Sequence, residues 1–423
     1  MLAAVALALL FQVPAPPPAA PDTVDTPEEV IEEAVEDVAD DLDRARVRPV
    51  FSPSALYSPS KGVGLGGGVA VDGVIASDDH LQVEARIAQR LQGGLAEYLT
   101  GDLDRAPLVG TLGVAGWTTT RTGFVGHGPH SADGGELFLD RLSALGEARL
   151  AWAPAGPRGL RLQPTVRYRF DRLRGFTERR DGALALVRPD DLARLEALQG
   201  ADRQGVEVAL AAIRDTRDIP GMPRYGSYTE AEVARFEATD ASGLGFWRAQ
   251  ASGIMFRPAL IRLPFLPERG ALFVRAAGVV TRQDGTEPLP WIYLPELDRD
   301  LLMGYPKGDF VGRDALSLGV GVRGVIAEAI GAFLVEGVAI GLVGAAYDDV
   351  TTEFTPRLQF TTDRPAEGEA VPLRPSVGVG LSLHYLERER AIVDGLIGIG
   401  PGGITLTSLR LVWGLGDFRP RFR

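Results

Sequence analysis

The chain has 423 residues, with 52 glycines, 30 prolines and 45% hydrophobic residues, a balance that excludes bulk disorder. After Val13 no apolar run approaches the roughly twenty residues of a spanning helix, so any membrane crossing would use strands. A net charge of -12 argues against a nucleic-acid partner, and the absence of cysteine excludes disulfides, thiolate metal sites and cysteine nucleophiles.

Leu2 to Val13 has the length of a signal-peptide core and runs into the small, proline-rich stretch Pro14 to Pro21. Residues 1–20 are therefore expected to be an export signal, although no Lys or Arg precedes the core. Between Asp22 and Asp43, eleven of twenty-two residues are acidic, and Val30, Ile31, Ala34, Val35, Val38 and Leu42 recur at helical spacing. Thr26, Pro27 and Glu29 supply a cap, a first helical position and a capping-box partner, which predicts a short acidic helix over 26–42 within a linker at 21–49.

From Val50 the pattern turns to period two. In the hairpin from Leu142 to Phe170, Ala144, Ala148, Leu150 and Trp152 share one face, while Ser143, Glu147 and Arg149 share the other. After a turn at 154–159, Leu160, Leu162, Val166, Tyr168 and Phe170 alternate with Arg161, Gln163, Thr165, Arg167, Arg169 and Asp171. Sixteen such candidates run from 50–58 to 403–416, including 352–361, 375–386 and 403–416. Most have about ten residues, enough for a tilted strand to cross a bilayer. Short turns alternate with long loops at 120–140, 172–204 and 282–312, and the second loop is expected to hold a helix from Asp190 to Leu198. The fold class predicted is all-β, a transmembrane antiparallel β-barrel of about sixteen strands over 50–423, with both termini on the periplasmic side.

Three segments carry a resemblance to a known family. Tyr57 to Gly68 holds the first-hairpin glycines Gly62, Gly64 and Gly66. Asp215 to Gly226 contains Asp215, Arg217, Asp218, Pro223 and Gly226 in an Asp-x-Arg-Asp turn. The third runs from Leu294 through Met303, Gly304, Tyr305, Gly308 and Phe310 to Arg313. In this order they resemble the barrel of the BamA/TamA family, the bacterial surface antigens, without its periplasmic POTRA repeats. The resemblance implies a Gram-negative outer-membrane location, an inward-folding sixth external loop at 282–312, and insertion or translocation of proteins or lipids. Implied partners are outer-membrane lipids including lipopolysaccharide, nascent outer-membrane proteins and periplasmic partners. Met303 stands where the family usually has an arginine that pairs with an acidic lumen residue, and Arg313 is the candidate replacement. The alternative reading is a passive pore or ligand-binding barrel plugged by its loops, with a barrel hydrolase behind it.

No catalytic residues, cofactor or metal site are expected. His127 and His130 offer two ligands, short of a zinc set, and no Gly-x-Ser-x-Gly elbow occurs. The glycines of 62–68 are not a dinucleotide loop, since the residues after them stay strand-like. Glu230 and Glu232 share a strand face, where a polar lining explains them.

Overall fold

The computed structural model describes residues 49–58, 62–74, 79–101, 103, 106–124, 137–156, 158–178, 181–219, 223–259, 270–284, 289–297, 301–305, 310–329, 333–361, 363–366, 368–385, 391–401 and 403–412. The expected signal, the acidic helix 26–42, His127, His130 and Gly308 lie outside the described residues.

Seventeen strands form one sheet. The first nine are β1 (Pro49–Ser58), β2 (Gly62–Asp72), β3 (His80–Ala88), β4 (Leu91–Leu99), β5 (Leu108–Phe124), β6 (Leu137–Trp152), β7 (Leu160–Glu178), β8 (Asp202–Asp215) and β9 (Gly226–Ala238). The others are β10 (Gly245–Pro258), β11 (Ala271–Asp284), β12 (Asp314–Ala329), β13 (Phe333–Tyr347), β14 (Phe354–Leu358), β15 (Val371–Tyr385), β16 (Ala391–Gly400) and β17 (Gly403–Val412). Two short helices, α1 (Pro189–Leu198) and α2 (Val350–Glu353), and a 3-10 turn at Trp291–Tyr293 lie in the connections. None of the helices among the described residues is long and apolar enough to cross a membrane.

From β1 to β13 each strand pairs antiparallel with the next. The ladder continues β13 to β15, β15 to β16 and β16 to β17. β1 also pairs with β17, from Ser54↔Val412 to Tyr57↔Leu409. The start of β1 and the end of β17 consequently lie at one end of the sheet, called proximal below; the opposite end is distal.

The expected sixteen-stranded antiparallel transmembrane barrel is corrected by this topology. The sheet has seventeen strands, and β14 joins β15 in parallel through Phe354↔Val371, Thr355↔Pro372 and Leu358↔Leu373. β1 and β17 meet over four residue pairs, where β1 and β2 share ten. The molecule is accordingly described as a seventeen-stranded sheet and not as that barrel. The expected strand over 352–361 is shortened to β14, Phe354–Leu358, because Pro356 has no N–H to give a central ladder. A strand absent from the expectation, β16, lies at Ala391–Gly400. Expected loops also shorten, since β5 and β6 pair out to Phe124↔Leu137 and β7 reaches Glu178. The helix expected from Asp190 is α1, starting one residue earlier.

Alternation gives the sheet two unlike faces. On the inner face Glu84, Glu97, Glu147, Arg149, Thr165, Glu207, Glu232 and Glu336 are buried. On the outer face large apolar side chains stand open, among them Leu65 at 70%, Ile87 at 68%, Val320 at 61% and Leu112 at 58% exposure. Soluble proteins hide such residues, so the pattern is reversed on the outer side.

Candidate functional site

Arg167 lies directly between Glu147 of β6 and Glu207 of β8, its partners in the two ladders. It donates from Nε to Glu147 Oε2 at 2.7 Å and from Nη1 to Glu207 Oε1 at 2.7 Å. Its Nη2 reaches Glu232 of β9 at 3.0 Å, and Gln250 of β10 donates to the same carboxylate at 3.0 Å. Arg149 extends the row by pairing with Glu147 and, at 3.1 Å, with Glu97 of β4. Arg169 and Arg248 stand 3.9 and 4.0 Å from Glu207. Four carboxylates and four guanidinium groups thus alternate along the inner wall from β4 to β10. Each buried charge faces an opposite one, the condition for tolerating it away from water.

Against this face lie the described parts of the segment 289–313, namely 289–297, 301–305 and 310–313, held at two places. The first anchor is aromatic. Trp291 packs edge-on to Phe124 of β5 with ring centroids 5.7 Å apart, and Tyr293 lies 4.8 Å from Phe236 of β9 and 5.7 Å from Phe246 of β10. Arg248 Nη2 donates to the Tyr293 carbonyl at 2.6 Å, and the Arg169 guanidinium lies 5.4 Å from the Tyr293 ring. Leu195 and Leu198 of α1 join the same core, so the loop helix is packed here as well.

The second anchor lies on β10 to β16. Leu302, Met303 and Tyr305 are 1%, 3% and 3% exposed and cluster with Phe256, Phe273, Ala315, Ile340 and Leu342. Ser317 Oγ donates to the Leu301 carbonyl at 2.6 Å, and Tyr305 Oη to the Pro375 carbonyl at 3.1 Å. Tyr305 and Phe310 meet edge to face at 4.9 Å. Met303 lies over Gly378 of β15 and Gly398 of β16, where any added Cβ would collide with it. Gly304 has φ +74°, and a Cβ there would strike the backbone of Ile399 and Gly400. Glycine is needed on both sides of this contact because backbone lies against backbone.

Met303, Gly304, Tyr305 and Phe310 are therefore brought together, with Met303 in an apolar setting. Arg313, just before β12, lies close enough to Asp349 to favour its charged form. The turn residues gather elsewhere, at the proximal end between β8 and β9. There Arg217 pairs with Asp215 at 2.6 Å, and Asp218 Oδ1 accepts from the Arg224 amide at 2.9 Å and the Tyr225 amide at 3.3 Å. Pro223 is buried beside them. Gly226, at φ +96°, brings its backbone against Thr216. Gly62, Gly64 and Gly66 lie on β2, with Gly64 opposite Leu56 of β1 and Ala88 of β3.

Sequence reasoning missed the alternating charge row, the aromatic anchor and Asp314. The row had a readable signal, since the turn at 154–159 sets Glu147 opposite Arg167. Asp314, fully buried, accepts from the Thr281 amide at 3.1 Å, Arg282 Nη1 at 2.7 Å and the Val350 amide at 3.0 Å. Arg323, Glu336 and His384 form a smaller inner cluster, with His384 Nε2 3.3 Å from Glu336. Among the described residues no group of three or more His, Asp or Glu could hold a metal ion.

The fold is that of a class of large antiparallel sheets, and comparison makes the likeness particular. It is similar to BamA from Haemophilus ducreyi lacking POTRA domains 1-3, with a TM-score of 0.59 and 10% identity over 88% of this chain and 71% of that one. It is also similar to CdiB from Escherichia coli, with a TM-score of 0.54 and 10% identity over 87% of this chain and 63% of that one. At such identity the likeness is one of fold. No family model and no curated protein matches the chain.

Proposed function

We propose that this chain is an outer-membrane protein of Gram-negative type that inserts or translocates proteins or lipids, with segment 289–313 as its internal plug. The carrying observation is the two-faced sheet, apolar where it is open and charged where it is covered. Water would penalise that outer face, whereas lipid would favour it. On β7 the outer-face series runs from Leu160 to Phe170, ten residue steps. At about 3.3 Å per step and a tilt of about 40°, it spans roughly 25 Å, the height of a lipid-facing band. Both ends of the sheet at the proximal side then face the periplasm, and the partners are outer-membrane lipids, lipopolysaccharide included, and nascent outer-membrane or periplasmic proteins. The chemistry is non-enzymatic.

A pore plugged by its loops shares this segment, so the depletion phenotype, and not the plug, separates the two readings. With one anchor on β5, β9 and β10 and the other on β10 to β16, the segment lies over the inner face. Planar-bilayer recordings of the intact chain should show no steady conductance, while deletion of 289–311 should produce one. Depletion in the native host should lower outer-membrane protein or lipid levels. Unchanged outer-membrane protein and lipid levels on depletion, with a conductance that appears on deletion of 289–311, would replace the assembly reading with the plugged pore.

A further inference from the structure

A third, smaller core lies where the segment between β13 and β15 meets those two strands. Ala345 and Tyr347, both 0% exposed, pack with Val371 and Leu373, and Leu316, Val343 and Val350 lie against them. Alternation places this core on the outer face, because Leu342, Ala346 and Ala315 belong to the inner cluster around Tyr305. The segment is pinned there. Asp314 accepts from the Val350 amide, Arg282 lies 3.6 Å from Asp349, and β14 is laddered to β15. The Phe354 ring stands 6.3 Å from that of Tyr347, and Arg374 donates to the Thr361 and Asp363 carbonyls.

A pinned segment should turn its apolar groups inward, yet Phe354, Leu358 and Phe360 are 44%, 51% and 69% exposed. Farther along the strands toward the proximal end, Leu318 and Val320 of β12 and Val377, Val379 and Leu381 of β15 stand open on the same outer face. We propose that residues 348–360 form a distal collar that inserts Phe354, Leu358 and Phe360 into the apolar boundary of the lipid leaflet. This rests on the outer-membrane reading and adds a contact beyond the strands. Between 348 and 370 there are six acidic residues and two arginines, so phosphate headgroups are not what draws the collar down. The attraction is burial of aromatic and aliphatic surface at the interface.

The native chain has no cysteine, which makes single-site labelling clean. Phe354→Cys, Leu358→Cys and Phe360→Cys, each carrying a nitroxide, would be compared in phosphatidylcholine vesicles with Val379→Cys on β15 and Asp363→Cys beyond the collar. The collar sites are expected to favour oxygen over a water-soluble nickel chelate as relaxing agent, matching Val379→Cys and opposing Asp363→Cys. An aqueous signal at the collar with a lipid signal at Val379→Cys would overturn the collar alone. Aqueous signals at both would overturn the membrane reading as well. Protection from both reagents would mean that a second copy covers the collar, which also overturns it. Phe360→Cys, at the most exposed position, carries the test if labelling at Phe354 disturbs its packing on Tyr347.

Discussion

Arg167 touches three carboxylates from three strands, and none of them gains a full replacement when it is removed. Arg167→Met should therefore cost about 3–5 kcal/mol, read as a lower urea midpoint, because it strands buried negative charge. Arg167→Lys should lie between, since one ammonium cannot reproduce the fork that meets Glu147, Glu207 and Glu232 together. Met303 behaves oppositely. Its side chain fills an apolar floor made by Gly378 and Gly398, so Met303→Leu should cost less than about 1.5 kcal/mol. Met303→Arg, which places there the residue usual in the BamA/TamA pattern, should loosen the segment and make 289–313 sensitive to limited proteolysis. Full protection of that variant would mean that a carboxylate receives the guanidinium. The apolar setting of Met303 was not readable from sequence, because Gly378 and Gly398 come from strands whose register no local pattern reveals.

At the scale of elements, the strands with strict alternation were legible and the irregular ones were not. β7 shows its faces in the sequence, with Arg161 to Asp171 on one side and Leu160 to Phe170 on the other. β16 has Ala391, Ile392 and Val393 in a row and glycines at 395, 398 and 400, so neither face announces itself. Over 352–361 the expected strand was too long, since only the five residues of β14, Phe354–Leu358, ladder to β15. Connections that bind through backbone amides were equally hidden, and α2 is one. The Thr351 hydroxyl and amide donate to the Asp349 carboxylate, and those bonds, with Arg282 and Arg313 nearby, hold its pKa below the usual carboxylate range. Their contribution is complete above the free-carboxyl value and is lost as pH falls through the lower folded one. A nitroxide at Leu358→Cys should thus gain mobility only in acid, below about pH 4. The Asp349→Asn background should abolish that step.

For the whole molecule, the question is whether the open apolar face meets lipid or water, and substitution by depth answers it. Val208 and Val166 are paired across β8 and β7 near the middle of the outer face, both about half exposed, whereas Leu160 sits at its proximal edge. In a bilayer, arginine at the middle of a lipid-facing band costs about 2–4 kcal/mol and near its edge about 0–1 kcal/mol. Val208→Arg should then lower unfolding stability in vesicles strongly and Leu160→Arg little. The same pair in water would give two similar, small effects, because a half-exposed valine on a soluble surface loses little to a solvated arginine. A control on the inner face separates depth from charge: Ala211→Arg, at a position 1% exposed, should be costly in either medium, since it adds an unpaired cation to a packed wall. Equal effects of Val208→Arg and Leu160→Arg would remove the lipid from the account and leave the exposed face to be covered by protein.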